Sequence, residues 1–152
     1  MKKAIAILVA LLAFAVASSA QTRAVGIRGG WANAVNVEAS YQHTVGRNFI
    51  EADLGVMGRA FSITGVYDFI LASNGELNFY AGPGLNFIMA GGGGTVTFVG
   101  GIVGQAGMEI AFSGAPLNMS IDWRPGFYFI GATGGGTTFN WAGFALGLRY
   151  RF

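Results

Sequence analysis

The chain has no cysteine, three prolines and only 11% charged residues among 152. Without cysteine there is no disulfide framework, no thiol nucleophile, no thiolate metal site and no lipid-bearing cysteine behind a leader. A chain this apolar, 53% hydrophobic, is not disordered, and 26 glycines argue against a helical bundle. Lysine is confined to Lys2 and Lys3. The seven arginines that remain balance seven carboxylates, so the net charge beyond the first residues is near zero. No basic surface for nucleic acid and no acidic partner is implied.

Long apolar runs are also scarce, apart from one at the start. Met1 to Lys3 form a positive start, Ala4 to Ala17 an apolar run and Ser18-Ser19-Ala20 a small-residue end. Together they read as a secretory signal peptide cleaved between Ala20 and Gln21, and the run is too short for a membrane-spanning helix. Residues 1–20 are therefore expected to be a signal peptide and residues 21–152 a single domain. No later stretch of eighteen apolar residues follows.

What the chain does have is alternation, broken by turn residues at the interval that suits strands of nine to eleven residues. The pattern predicts eight strands, at 23–31, 35–44, 48–58, 60–71, 76–90, 95–112, 117–131 and 138–152. The breaks fall at Ala32-Asn33, Gly46 to Asn48, Gly58-Arg59, Ser73 to Gly75, Gly91 to Gly94, Gly114 to Pro116 and Gly134 to Thr137. Asn74-Gly75 is the strongest turn signal, since both residues tolerate positive φ. One face collects large apolar side chains such as Ile27, Leu54, Phe79, Leu85, Ile121 and Phe144. The other collects every carboxylate, with Ser40, Gln42, Gln105, Asn118 and Ser120.

The orientation of these faces decides the class. An eight-stranded interior is just filled by side chains, so the bulky face would overfill it, and the polar face has too few charges for a soluble surface. With the bulky residues turned to lipid, closure pairs every backbone group, as hydrocarbon requires. The fold predicted is all-β: an eight-stranded antiparallel up-and-down transmembrane β-barrel. The even strand count puts both termini on one side, the periplasmic one. The outer connections are short, and neither long loops nor a protruding sheet edge for adhesion is expected.

The final strand, Ala142 to Phe152, alternates Phe144, Leu146, Leu148, Tyr150 and Phe152 with Gly143, Ala145, Gly147, Arg149 and Arg151. It resembles the terminal strand by which outer-membrane β-barrel proteins are recognised for assembly. The Ala81-Gly82-Pro83-Gly84-Leu85-Asn86-Phe87 segment resembles part of the porin-like outer-membrane beta-barrel domain family of bacteria. The resemblance implies a Gram-negative cell-envelope protein in contact with outer-membrane lipid, a monomer. It also implies that Tyr150 and Phe152 engage periplasmic chaperones and the barrel assembly machinery.

For chemistry, the inward charges come first: Arg28, Glu38, Glu51, Asp53, Asp68, Glu76, Glu109, Asp122, Arg124, Arg149 and Arg151. They read as a lumen network of arginine–carboxylate pairs that plugs the barrel, or as an ion-selective constriction. The excess acid calls for donors such as Tyr80, Gln105 or Asn118. Met57, Ile88, Val99, Val103, Tyr128, Phe139 and Trp141 face the outer lumen by parity and read either as ordinary packing of large side chains against glycines or as an apolar pocket fit for a lipid or small hydrophobe. His43, the one histidine, lies by parity on the lipid side near a turn, away from an orienting carboxylate, which speaks against a lipid A-modifying enzyme. No metal site is implied without a His pair or thiol. Gly91 to Gly94 is no phosphate loop, lacking a following Gly-Lys-Ser/Thr. The expected role is thus non-enzymatic and without cofactor: a structural barrel or minor small-solute pore, with a lipid- or small-hydrophobe-binding barrel, in one form a lipid A-modifying enzyme, as the alternative.

Overall fold

The computed structural model describes residues 22–31, 34–130 and 136–152. The expected signal peptide, the Ala32-Asn33 connection and Gly134-Gly135 lie outside them. Ten strand segments run in order: β1 Arg23–Trp31, β2 Val35–Val45, β3 Asn48–Met57, β4 Ala60–Asn74, β5 Leu77–Gly92, β6 Thr95–Ala111, β7 Leu117–Trp123, β8 Gly126–Ile130, β9 Gly136–Asn140 and β10 Phe144–Arg151. β7 with β8 makes the seventh barrel strand, and β9 with β10 the eighth. Consecutive strands pair antiparallel, β1 pairs with β10, and the β5–β6 pair completes the ring. The fold is a closed eight-stranded antiparallel β-barrel. Phe152 exchanges backbone hydrogen bonds with Arg23, at 2.8 and 3.2 Å, which fastens the last residue to the first strand.

The faces sort as the alternation predicts. Ile27, Leu54, Phe79, Leu85, Ile121 and Phe144 are exposed on the outside, while Arg28, Glu38, Glu51, Asp53, Asp122 and Arg149 are buried within. Small residues set how closely the strands approach. A Cβ on Gly82 would overlap the Tyr67 carbonyl oxygen of β4, whereas one on Gly65 would meet nothing within 4 Å. This gives the Gly82-Pro83-Gly84 segment a steric reason: backbone and backbone meet there without room for a side chain.

Two expectations need correcting. The turn between β4 and β5 is Gly75-Glu76, one residue later than Asn74-Gly75. Asn74 still pairs with Leu77, and Gly75 takes the positive φ of 62°. A bulge between Ile70 and Ala72 inserts the residue that shifts the turn. The last two long strands are interrupted rather than continuous. Among the described residues β9 pairs with β8 alone, and β1 ends at Trp31 opposite Phe144.

The second interruption has the larger consequence. Register is continuous along the seventh strand: Ala106 faces Trp123 and Val103 faces Gly126, the same offset. On the eighth strand it slips by one, since Phe144 faces Trp123 but Asn140 faces Gly126. Three residues, Trp141 to Gly143, oppose Arg124 and Pro125. Pro125 has no N–H to offer, so the ladder breaks there. Arg124 N donates to Gly143 O at 2.6 Å, and the Trp123 indole Nε1 donates to Trp141 O at 2.5 Å.

Candidate functional site in the barrel lumen

The lumen holds three layers. The middle layer is charged and rests on three arginines, one each from β1, β10 and the joint between β7 and β8. Arg28 donates to Glu38 at 2.5 Å and to both oxygens of Asp122. Arg124 donates through Nη2 to Glu51 at 2.8 Å and Asp53 at 2.7 Å, and through Nε to Gln105 Oε1 at 2.6 Å. Arg149 reaches Glu51 at 2.7 Å and the hydroxyls of Ser40 and Ser120, each at 2.9 Å. Glu51, fully buried, thus bridges two arginines. These contacts tie β1, β2, β3, β6, β7 and β10 together across the axis. In a medium with little water, fork-shaped guanidinium–carboxylate pairs hold both distance and angle.

Two further acids are bonded by amides rather than arginine. Gln105 Nε2 donates to Asp68 at 3.0 Å, and Asn118 Nδ2 and Gln42 Nε2 donate to Glu109 at 2.9 and 3.2 Å. Gln105 and Asn118 play the donor part expected of them. The Tyr80 hydroxyl has no partner, and neither does Asp68 Oδ1. Phe49 meets the Tyr80 ring edge-on, with centroids 5.1 Å apart.

Two residues expected in this network stand outside it. Glu76 is fully exposed in the β4–β5 turn and accepts the Ser113 backbone N–H at 2.5 Å. The Ser113 hydroxyl and N–H together hold its carboxyl below the usual carboxylate range. Arg151 donates to the Phe112 and Ala115 carbonyls, at 2.6 and 3.3 Å, so it braces the Gly114 to Pro116 connection, and its charge adds to the lowering of Glu76. Alternation assigned both to the inner parity, but parity says nothing about where the lumen ends.

The other two layers are cavities on either side. Near the termini is one of about 240 Å³, among Gln42, Asn48, Glu109, Asn118 and Arg151. At the far end lies one of about 380 Å³, with Arg28, Glu38 and Arg124 at its floor. Glu51, Asp53, Asp68, Gln105, Asp122 and Arg149 line neither. Of the seven residues expected around the far pocket, Met57, Ile88, Val99 and Tyr128 do line it. Val103 is buried at 2% exposure against Gly84 and Gly126 instead. Phe139 and Trp141 are 51% and 65% exposed and face outward, where Phe139 packs on Phe127. The physical reason is the extra residue at Trp141 to Gly143, which turns every side chain before it onto the opposite face. Thr138 and Asn140 take their place in the cavity wall.

Sequence reasoning also missed Asn36, Ser62, Thr64 and Asn86, polar residues of the same wall. Pro125 and Gly143 inside predicted strands were the available signal for the slip. His43 sits opposite Ile50 and Arg23, and its Nδ1 has no hydrogen-bond partner. No cluster of three metal-ligating side chains occurs among the described residues.

No protein-family model and no curated protein sequence matches the chain. Solved structures do. The crystal structure of Neisserial surface protein A (NspA) aligns over 86% of this chain and 95% of its own, with a TM-score of 0.59 at 14% identity. The solution structure of the de novo designed barrel TMB2.3 covers 86% and 94%, with a TM-score of 0.56 at 15% identity. A second structure, from the de novo design of transmembrane beta-barrels, covers 89% and 98%, with a TM-score of 0.53 at 17% identity. The chain is similar in fold to transmembrane β-barrels, natural and designed.

Proposed function

We propose that this protein is a non-enzymatic integral barrel of a bacterial outer membrane, with both termini in the periplasm and a structural role. The reading keeps the resemblance to the porin-like barrel-domain family, but with a lumen sealed at mid-height. The observation that carries it is the middle layer. Arg149, Glu51, Asp53 and Asp122 are at most 2% exposed, are cross-bonded, and line neither cavity. An ion crossing would have to displace paired charges in a space already filled by side chains. Among the described residues His43 Nδ1 has no hydrogen-bond partner, which favours the non-enzymatic reading. Tyr150 and Phe152 at the end of β10 are the contact offered to chaperones and the assembly machinery. Planar-bilayer recording tests the seal. The wild-type chain should show no stepwise conductance, and a reproducible single-channel current overturns the structural role in favour of a pore.

The far cavity favours a second, compatible role in holding a small apolar molecule, since most of its lining is hydrocarbon or aromatic.

A further inference from the structure

A groove of about 370 Å³ lies on the outer wall, lined from β4, β5 and β6 by Phe61, Ile63, Phe87, Met89, Phe98 and Gly100. The register puts these residues on two neighbouring rungs. Phe61 faces Met89 and Met89 faces Phe98, while Ile63 faces Phe87 and Phe87 faces Gly100. Gly100 leaves a notch in its rung, since an added Cβ would meet only the Phe87 ring, at 3.8 Å. One rung further toward the far end, the Gly91 N–H donates to Arg59 O at 3.3 Å and Gly91 faces Val96. A Cβ on Gly91 would meet nothing closer than 4.0 Å, so that rung is open too. Arg59 thus stands at the far end of the groove, about 13 Å from Ile63 by four residues of strand.

Charge says what the groove takes. Arg59 is exposed and joins none of the ion pairs among the described residues. It is the one charged residue in the four far connections, which otherwise hold alanine, asparagine, glycine and threonine. Six of the seven carboxylates are buried in the lumen, and Glu76 is in a turn at the opposite end, so no acid of the chain neutralises this cation. A lone cation at the edge of an apolar wall is matched by an anion anchored in that wall, which is the make-up of a lipid with a phosphate head. Shape agrees. Three strands span only about 10 Å, room for a hydrocarbon chain but too little for the convex wall of a second barrel.

We infer that the groove and Arg59 together hold a phosphorylated lipid of the far leaflet. An acyl chain lies along Phe61, Ile63, Met89 and Phe98 into the notch at Gly100, and the phosphate accepts charge-assisted hydrogen bonds from the Arg59 guanidinium. The inference rests on the barrel reading above and gives one stretch of the lipid-facing wall a preferred lipid.

The test uses the full barrel with ¹³C-methyl methionine in dimyristoylphosphatidylcholine nanodiscs. Dimyristoylphosphatidic acid, or dimyristoylglycerol with the same chains and no phosphate, replaces the host lipid stepwise. Met89 reports on the groove, and Met108 and Met119, exposed elsewhere on the outer wall, report ordinary lipid contact. A saturable shift of Met89 alone is expected, at a mole fraction about tenfold lower for phosphatidic acid than for the diacylglycerol. Arg59→Gln should erase that difference and Arg59→Lys should keep most of it. Gly100→Leu, which fills the notch from the outer face, should weaken both lipids. Equal mole fractions for the two lipids, or an unchanged preference in Arg59→Gln, overturn the phosphate contact. Parallel shifts of Met89, Met108 and Met119, or no shift of Met89, overturn the groove as a site. Discs holding two barrels, with Met89 shifted before any phosphatidic acid is added, would give the groove to a second copy and overturn the lipid. Failure of the sealed-barrel reading registers separately, as current in the bilayer, and leaves the titration readable.

Discussion

Arg124→Met is the most informative single perturbation of the middle layer. Methionine keeps most of the volume and removes the fork. Glu51 would keep Arg149 at 2.7 Å and Glu38 would keep Arg28 at 2.5 Å, but Asp53 would lose its one ion-pair partner among the described residues, and Gln105 Oε1 its donor. Removing one partner of a buried pair costs about 3–5 kcal/mol, because the survivor is left charged and dry. The loss should fall in that range, since one carboxylate and one amide oxygen are stranded. Asp53→Asn in the same chain removes the stranded charge, so the double variant should be more stable than the sum of the single losses by about 1–3 kcal/mol. Urea unfolding of the barrel in lipid vesicles measures this, read by heat-modifiable gel mobility and by tryptophan fluorescence. A loss below about 1 kcal/mol for Arg124→Met, or strict additivity with Asp53→Asn, would refute the view that these charges hold the strands together.

Other outcomes follow from the same structure. Gly82→Ala, whose Cβ would overlap the Tyr67 carbonyl, should cost about 1–3 kcal/mol in that urea assay, while Gly65→Ala, with open space at its Cβ, should cost little. Glu76 has its carboxyl held below the ordinary range by Ser113, so its stabilisation is complete above the unfolded value, near 4.3, and is lost as pH falls through the lower folded value. Glu76→Gln should accordingly flatten the acid limb of stability against pH below about 4.3, and an unchanged limb would count against the turn contact. Trp31, Trp123 and Trp141 are all exposed on the outer face. Lipids brominated on the acyl chain should therefore quench much of the tryptophan emission while aqueous iodide quenches little, and the reverse pattern would mean that the apolar face is not in lipid.

Much of this protein is written in one dimension. Period-two alternation and turn glycines sufficed for the number of strands, most of their limits, and which side of each carries Phe and Leu or Asp and Arg, because strand side chains strictly alternate. Inward acids such as Glu51 and Asp53 were legible for the same reason. Their partners were not: Arg124 meets Glu51 and Asp53 more than seventy residues away in sequence, and only closure of the ring brings them together. Parity could not reveal that Glu76 stands in a turn or that Arg151 reaches carbonyls. The far cavity shows the limit most clearly. A single added residue between Asn140 and Phe144 exchanges Phe139 and Trp141 for Thr138 and Asn140, since one step along a strand reverses its faces. Local sequence determined the alternation and the barrel class. The paired backbones, register and closure determined which charges meet, where the lumen ends, and what the cavity can hold.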